Sequence, residues 1–382
     1  ASGMKRVIGV LTVLLVLGGL VFAVVNRKPG PNPGPDKPDG IVTLTGMVGS
    51  EKGAFFDDQQ VKDALKARGL VVNTQSAGSW QMGDLKNDNL DFVFPASQQP
   101  AEAIKAAHNL KSTPTRPFYS PLVIVTYQKT AQVLKDNNLA SYDEASHVWK
   151  FSMKGFLDGV DNRTTWQKLP NPPADQKPGD LVGSIFLTTT NPETSSSGAL
   201  YLAMVSYLLN ANQVIPAPAG VTPQIGDKLQ AVITPQGVMK NSTEEPFMDF
   251  VSGNGRPLVL AYESQALELV LKKKAPTDMV MLYPDTTVVS DHTIVAFNDK
   301  GQRLADALAD DPALRDLEIK YGFRPSGAAG ATAFAAKVQE AQNGNPEAKF
   351  AFAPDLGVAK VGQATVPTPA VMSALVNAAK AK

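Results

Sequence analysis

Thr194, Ser195, Ser196, Ser197 and Gly198 stand in succession immediately before the apolar run "ALYLAMVSYLLN". Hydroxyls massed at the mouth of a helix this apolar offer hydrogen-bond chemistry rather than bond-breaking chemistry. A helix start leaves about four backbone N–H groups without intrahelical partners and carries roughly half a positive charge. A small polar ligand, an anion above all, is held there without an arginine. Serine and threonine are also the favoured N-caps, but one cap uses one hydroxyl and this run supplies several. Ligand contact is therefore the expectation for 194–198.

Three further turns follow apolar, strand-like segments and offer a hydroxyl plus free amides: Gly49 with Ser50, Gly78 with Ser79, and Ala96 with Ser97. Each of these serines taken singly reads equally well as an N-cap. Tyr262 and Glu263, in "AYES", complete the candidate ligand set; a tyrosine there would suit a zwitterion or a sugar as readily. Glu51 and Glu263 cut against a plain oxyanion, because a carboxylate repels one unless it is protonated or already paired. Lys52, Arg116 and Arg256 are the available partners, although an arginine at a chain crossing more often braces structure.

Catalytic groups are harder to assemble. His108, His147 and His292 are far apart and share no metal-ligand spacing, and His292 reads as a packed structural residue. No nucleophile elbow, phosphate-binding glycine loop, dinucleotide fingerprint or His-Glu-x-x-His pair occurs. Asp57–Asp58 and Glu244–Glu245 are neighbours in sequence only. The absence of cysteine excludes disulfides, thiolate zinc sites and a cysteine nucleophile. No catalytic, metal or cofactor site is expected. Lysine plus arginine and aspartate plus glutamate number 36 each, a balance that argues against a nucleic-acid partner.

The elements that would position these turns alternate between strand and helix, in the manner of βαβ units with a mainly parallel sheet. "IVTLTGMV", "LVVNTQ", "LDFVFPAS" and "YSPLVIVTY" read as strands, with helical segments between them. A middle section rich in proline and loops includes "SIFLTTT", read as a strand. The first texture then returns in "PLVLAYESQALELVLKKK", "MVMLYPDTTVV" and the amphipathic "QRLADALADDPALRDLEIKYGFRP". At 382 residues the chain is long enough for two domains. The pattern predicts two α/β lobes, with residues 41–125 and 258–382 in lobe 1 and 126–257 in lobe 2. The hinge strands would lie near 119–126 and 258–262.

Phrase by phrase from about 41 to 326, the order of these segments resembles the type II periplasmic, or extracellular, solute-binding proteins of the phosphate, sulfate and molybdate group. "NPETSSSG" is similar to the Asn-Pro-Lys-Thr-Ser-Gly turn of sulfate-binding proteins, with Glu193 in place of lysine. "YGFRP" resembles the arginine-proline ending of their last shared helix. The resemblance implies a bilobed α/β fold with a two-strand hinge. It also implies a non-catalytic role and a ligand held between the lobes at helix starts from both.

Residues 7–25 form an uncharged, apolar run flanked by Lys5 and Arg6 on one side and Arg27 and Lys28 on the other. That is the length of a membrane-spanning helix and longer than a usual signal-peptide core, the competing reading. Pro29, Pro31, Pro33, Pro35 and Pro38 make residues 29–40 a stalk. The expectation is a single-pass anchor, residues 1–28, with a monomeric folded part outside the cytoplasm. Capture of a small, anionic solute for a transporter or a membrane signalling or resistance complex follows. A protein-interaction scaffold that has kept the fold without binding a ligand is the alternative. The alanine-rich C-terminal segment lies beyond the resemblance and is expected to dock on its own domain.

Overall fold

The computed structural model describes residues 40–84, 89–174, 181–344 and 351–380. The expected membrane anchor and nearly all of the proline-rich stalk lie outside them. Among the described residues no helix is long and apolar enough to cross a membrane.

Strand β1 (Val42–Val48) opens the sheet and pairs in parallel with β2 (Leu70–Ser76) and β3 (Phe92–Phe94). Between β1 and β2 the chain makes a short turn and helices α1 (Gly53–Asp57) and α2 (Gln59–Ala67). Asp58 separates the two helices and caps the second, its carboxylate accepting from the Gln60 and Val61 amides. Helix α3 (Gln98–Ala107) leads to β4 (Thr115–Tyr127). At about 3.3 Å per residue, β4 is long enough to serve both halves of the molecule. Residues 115–121 pair with β10 (Val289–Ala296), and residues 122–127 pair with β7 (Val259–Tyr262) and β8 (Met279–Pro284).

The sheet order is β2-β1-β3-β10-β4-β8-β6-β5, with β5 (Ala140–Tyr142) and β6 (Trp149–Phe151) at the far edge and the two-residue β9 (Thr286–Thr287) outside it. It is parallel only among β2, β1 and β3 and between β6 and β8. This corrects the expectation of a mainly parallel sheet. Strands that carry the chain out and back run in opposite directions, so β10, β7, β8 and the short β11 (Arg324–Pro325) all lie antiparallel to β4. The return strand is also not where the sequence suggests. Residues 259–262 bond the second half of β4, and the chain regains the first half only at Val289.

"SIFLTTT" does not form a strand: Ser184, Thr188 and Thr190 make only isolated bridges, two of them to Val259 and Lys240. The long amphipathic segment near the end is two helices, Asp299–Asp310 and Pro312–Lys320, because Asp311 caps the second and Pro312 opens it.

Apolar side chains segregate with this division. Phe55, Phe94, Phe118 and Phe323 build an aromatic core on the β1 side, where Phe118 and Phe323 stack at 4.3 Å. On the other side the apolar helix Ser196–Leu209 is buried from Ser196 through Ser206 without a break. The C-terminal helix Pro369–Ala379 covers it, packing also on Pro223–Ile233 and on α3 from the first half. The tail thus docks on its own chain as expected, but mainly on the second half, which corrects the assignment of residues 258–382 as a whole to lobe 1.

Candidate functional site

Three turns of the first half sit at the C-terminal ends of β1, β2 and β3, the edge at which parallel sheets present ligands. They carry Ser50, Ser79 and Ser97. Facing them from the second half are the start of Ser196–Leu209, the start of the helix Glu244–Val251, and Tyr262 at the end of β7. Together they form a half-open cavity of about 290 Å³, lined by Gly49, Ser50, Glu51, Ser76, Ala77, Gly78, Ser79, Gln81, Ala96, Ser195, Ser196, Asn241, Ser242, Thr243, Glu245 and Tyr262. A larger hollow of about 1330 Å³ lies elsewhere, lined in part by Leu271, Leu317 and Lys337 and ending at Gly344, where the described residues break off. None of the hydroxyl-bearing turns reaches it, so the smaller cavity is the candidate site.

Hydroxyls join the two faces directly. Ser50 Oγ and Ser242 Oγ are 2.7 Å apart, and Ser196 Oγ donates to Ser97 Oγ at 2.7 Å. The Trp80 amide donates to the Thr194 carbonyl at 3.2 Å. Gly78 makes this approach possible, since a Cβ there would lie 2.5 Å from the Thr194 carbonyl oxygen.

Of the residues expected from sequence, Ser50, Ser79, Ser195, Ser196 and Tyr262 line the cavity. Ser97 is buried one bond behind it, through Ser196. Thr194 turns its hydroxyl to Asn241 at 3.0 Å and its carbonyl to Trp80. Ser197 and Gly198 face inward: Ser197 Oγ bonds Thr190 and Thr243 at 2.7 Å each, and the Gly198 amide donates to Thr190 Oγ1. The expected ligand role of Glu263 is corrected. Its carboxylate is fully buried and grips Arg324 through two 2.8 Å bonds, with Tyr283 as a third donor. Such a pair, once desolvated, holds the elements together rather than meeting a solute.

Plain capping does not explain the hydroxyl run. Ser195 is the N-cap of Ser196–Leu209, yet its side chain makes no capping bond. Its neighbours bond one another and the opposite half instead.

Ser76, Gln81, Asn241, Ser242 and Thr243, none of them singled out in the sequence, also line the cavity, as does Glu245, read there only as a sequence neighbour of Glu244. A signal was present for four of them. "NSTEE", residues 241–245, places polar N-cap types before an acidic first turn, the usual mark of a helix start.

Charge in the site centres on Glu51. Its carboxylate accepts from Lys52 Nζ at 2.8 Å, and that ammonium also bonds His292 Nδ1 at 2.8 Å. Lys52 and His292 are wholly buried, with Lys52 over the Phe94 ring. Desolvation lowers the Lys52 pKa against the pull of Glu51, and desolvation with the neighbouring Lys52 charge holds the His292 imidazole neutral. His292 is thus a packed structural residue, ringed by Phe94, Phe118, Tyr262 and Phe323. Burial, assisted by the Glu51 charge, pushes the Tyr262 phenol well up and keeps it a neutral hydrogen-bonding group. Burial likewise raises Glu244 behind the rim. Arg116 braces Asp291 at 3.0 Å, and Arg256 lies over the Phe186 ring. Among the described residues no group of three or more His, Asp or Glu could hold a metal ion.

The model of the bacterial extracellular solute-binding proteins matches residues 66–324. The chain belongs to that family. It is a binding protein of the type II class, not an enzyme. Iron-bound HitA from Pseudomonas aeruginosa shares the fold at a TM-score of 0.52 and 13% identity, over 88% of this chain and 97% of that one. The sulfate-binding protein SubI from Mycobacterium tuberculosis H37Rv aligns at 0.49 and 17% identity, over 77% and 91%. A periplasmic thiamin binding protein aligns at 0.48 and 14%, over 93% and 100%. No curated protein matches the chain in sequence.

Proposed function

We propose that the chain captures a small polar solute in the cavity between the two halves of the sheet. The observation that carries this reading is the convergence of hydroxyl-bearing turns from both halves on one half-open space of about 290 Å³. That volume lies near the ~300 Å³ lower end of ligand pockets, fitting a solute the size of an amino acid or smaller. The halves hinge about β4, the β8-to-β10 return and the segment that follows β11, the three places where the chain crosses between them. Opening admits the solute; closing adds the donors and acceptors of the second half to those of the first.

The two-lobe division follows, with the second lobe extended to include β7, β8 and the C-terminal helix Pro369–Ala379. Residues 7–25 tether the domain to a membrane from outside the cytoplasm, and the closed form presents its surface to a transporter or another membrane complex. The anion expected from sequence would find helix starts and hydroxyls here, but it would also meet Glu51 and Glu245.

A thermal-shift screen of the full chain against oxyanions, amines, amino acids and sugars tests the reading. A ligand at a hundred times its dissociation constant adds about 2.7 kcal/mol. Replacement of Ser242, a partly exposed lining residue, by tryptophan fills the cavity and should remove any shift found, whatever the charge of the solute, while leaving the fold intact. A shift that survives in that variant places binding elsewhere.

A further inference from the structure

Resting on that capture reading, we infer that the solute carries a positively charged, hydrogen-bond-donating nitrogen, an ammonium or an amidinium, and is not an oxyanion. Two carboxylates, Glu51 and Glu245, line the cavity, and no lysine, arginine or histidine side chain does. Each cation that an anion would need is engaged elsewhere. Lys52 is buried and faces Glu51 and His292, Arg116 is bonded to Asp291, and Arg256 covers the Phe186 ring. Lys52 offsets Glu51 alone. Glu245 stands at the rim with no such partner among the lining residues, and Glu244 lies directly behind.

The hydroxyls point the same way. A serine or threonine has one proton to donate and two lone pairs. Ser196 commits its proton to Ser97, and one proton is consumed within each of the contacts Ser50–Ser242, Ser195–Thr243 and Ser197–Thr243. The hydroxyls of the walls therefore keep more free lone pairs than free protons. An ammonium group brings three donors and no acceptor, the complement of such a surface. For a charge about 5 Å from an exposed carboxylate, at an effective dielectric near 40, reversing the sign of the ligand changes affinity by roughly a hundredfold or more.

Isothermal calorimetry and thermal shift on the full chain, with ethanolamine and agmatine set against sulfate, phosphate and glucose, decide the matter. Saturable binding of either amine, weakened about tenfold by Glu245→Gln and about a hundredfold by Glu245→Lys, supports the inference. Glu245 is exposed, so these variants fold even where Glu51→Gln, which strands buried Lys52, does not. Selective binding of sulfate, phosphate or glucose overturns the inference while leaving solute capture standing. No saturable binding by any of the five overturns both.

Discussion

Substitution of Gly78 by alanine separates closure of the cavity from folding. The new methyl would lie 2.5 Å from the Thr194 carbonyl oxygen and 3.1 Å from its carbon. Both are backbone atoms of the opposite half and cannot rotate aside as a side chain would. Relief requires the halves to part, which breaks the Trp80–Thr194 contact and loosens Ser50–Ser242 and Ser97–Ser196. Hydrogen bonds contribute about 0.5–1.5 kcal/mol each, so three place roughly 1.5–4.5 kcal/mol against closure, or about ten- to a thousandfold in the closed-to-open ratio. Apparent solute affinity falls with the closed fraction, whereas both cores are untouched and the melting temperature holds nearly constant. The chain has no cysteine, so spin labels at Lys66→Cys and Gln224→Cys, one exposed position on each half, report the opening directly. Gly53→Ala is the control, because a Cβ there meets nothing within 4 Å. An unchanged interlabel distance in Gly78→Ala would refute the reasoning.

Other consequences concern stability. Arg324→Ala leaves Glu263 charged and buried and frees the carbonyls of Ala353 and Pro354; urea unfolding should show a loss of about 3–5 kcal/mol, and a loss under 1 kcal/mol would mean that the pair relaxes freely. Glu318 is buried with neither carboxylate oxygen hydrogen-bonded, and burial raises its pKa well above the ordinary value despite Arg315. A raised carboxylate pKa gives stability that is full below the unfolded pKa of about 4.3 and lost as pH climbs toward the folded value. Glu318→Gln should therefore match the wild type near pH 4 and exceed it by about 1–3 kcal/mol at pH 8, measured by melting across pH; parallel curves would remove Glu318 from the account.

The parts of the fold legible in sequence are those governed by local rules. Strand-then-helix alternation located β1, β2, β3 and β4, and the massed hydroxyls before an apolar run located the start of Ser196–Leu209. Long-range pairing was not local information. Nothing in "PLVLAYES" says that Val259–Tyr262 bonds residues 122–125 and leaves the return to Val289. Glu263 illustrates the same limit within the site: a carboxylate at a helix start looks like a ligand contact until Arg324, 61 positions away, is seen to hold it. "SIFLTTT" has strand composition, yet its neighbours in space, Val259 and Lys240, offer only single bridges. Thr243 was passed over and Glu245 set aside because their helix start announces itself in ordinary capping vocabulary, and only its position opposite Ser50 gives it a second role.

The most direct test of the central claim is native mass spectrometry of the purified chain after incubation with culture extract, run beside the Ser242→Trp variant, whose indole fills the cavity. The account predicts a discrete small-molecule adduct on the wild-type chain that is absent from the variant. No adduct on either chain, or the same adduct on both, would contradict it.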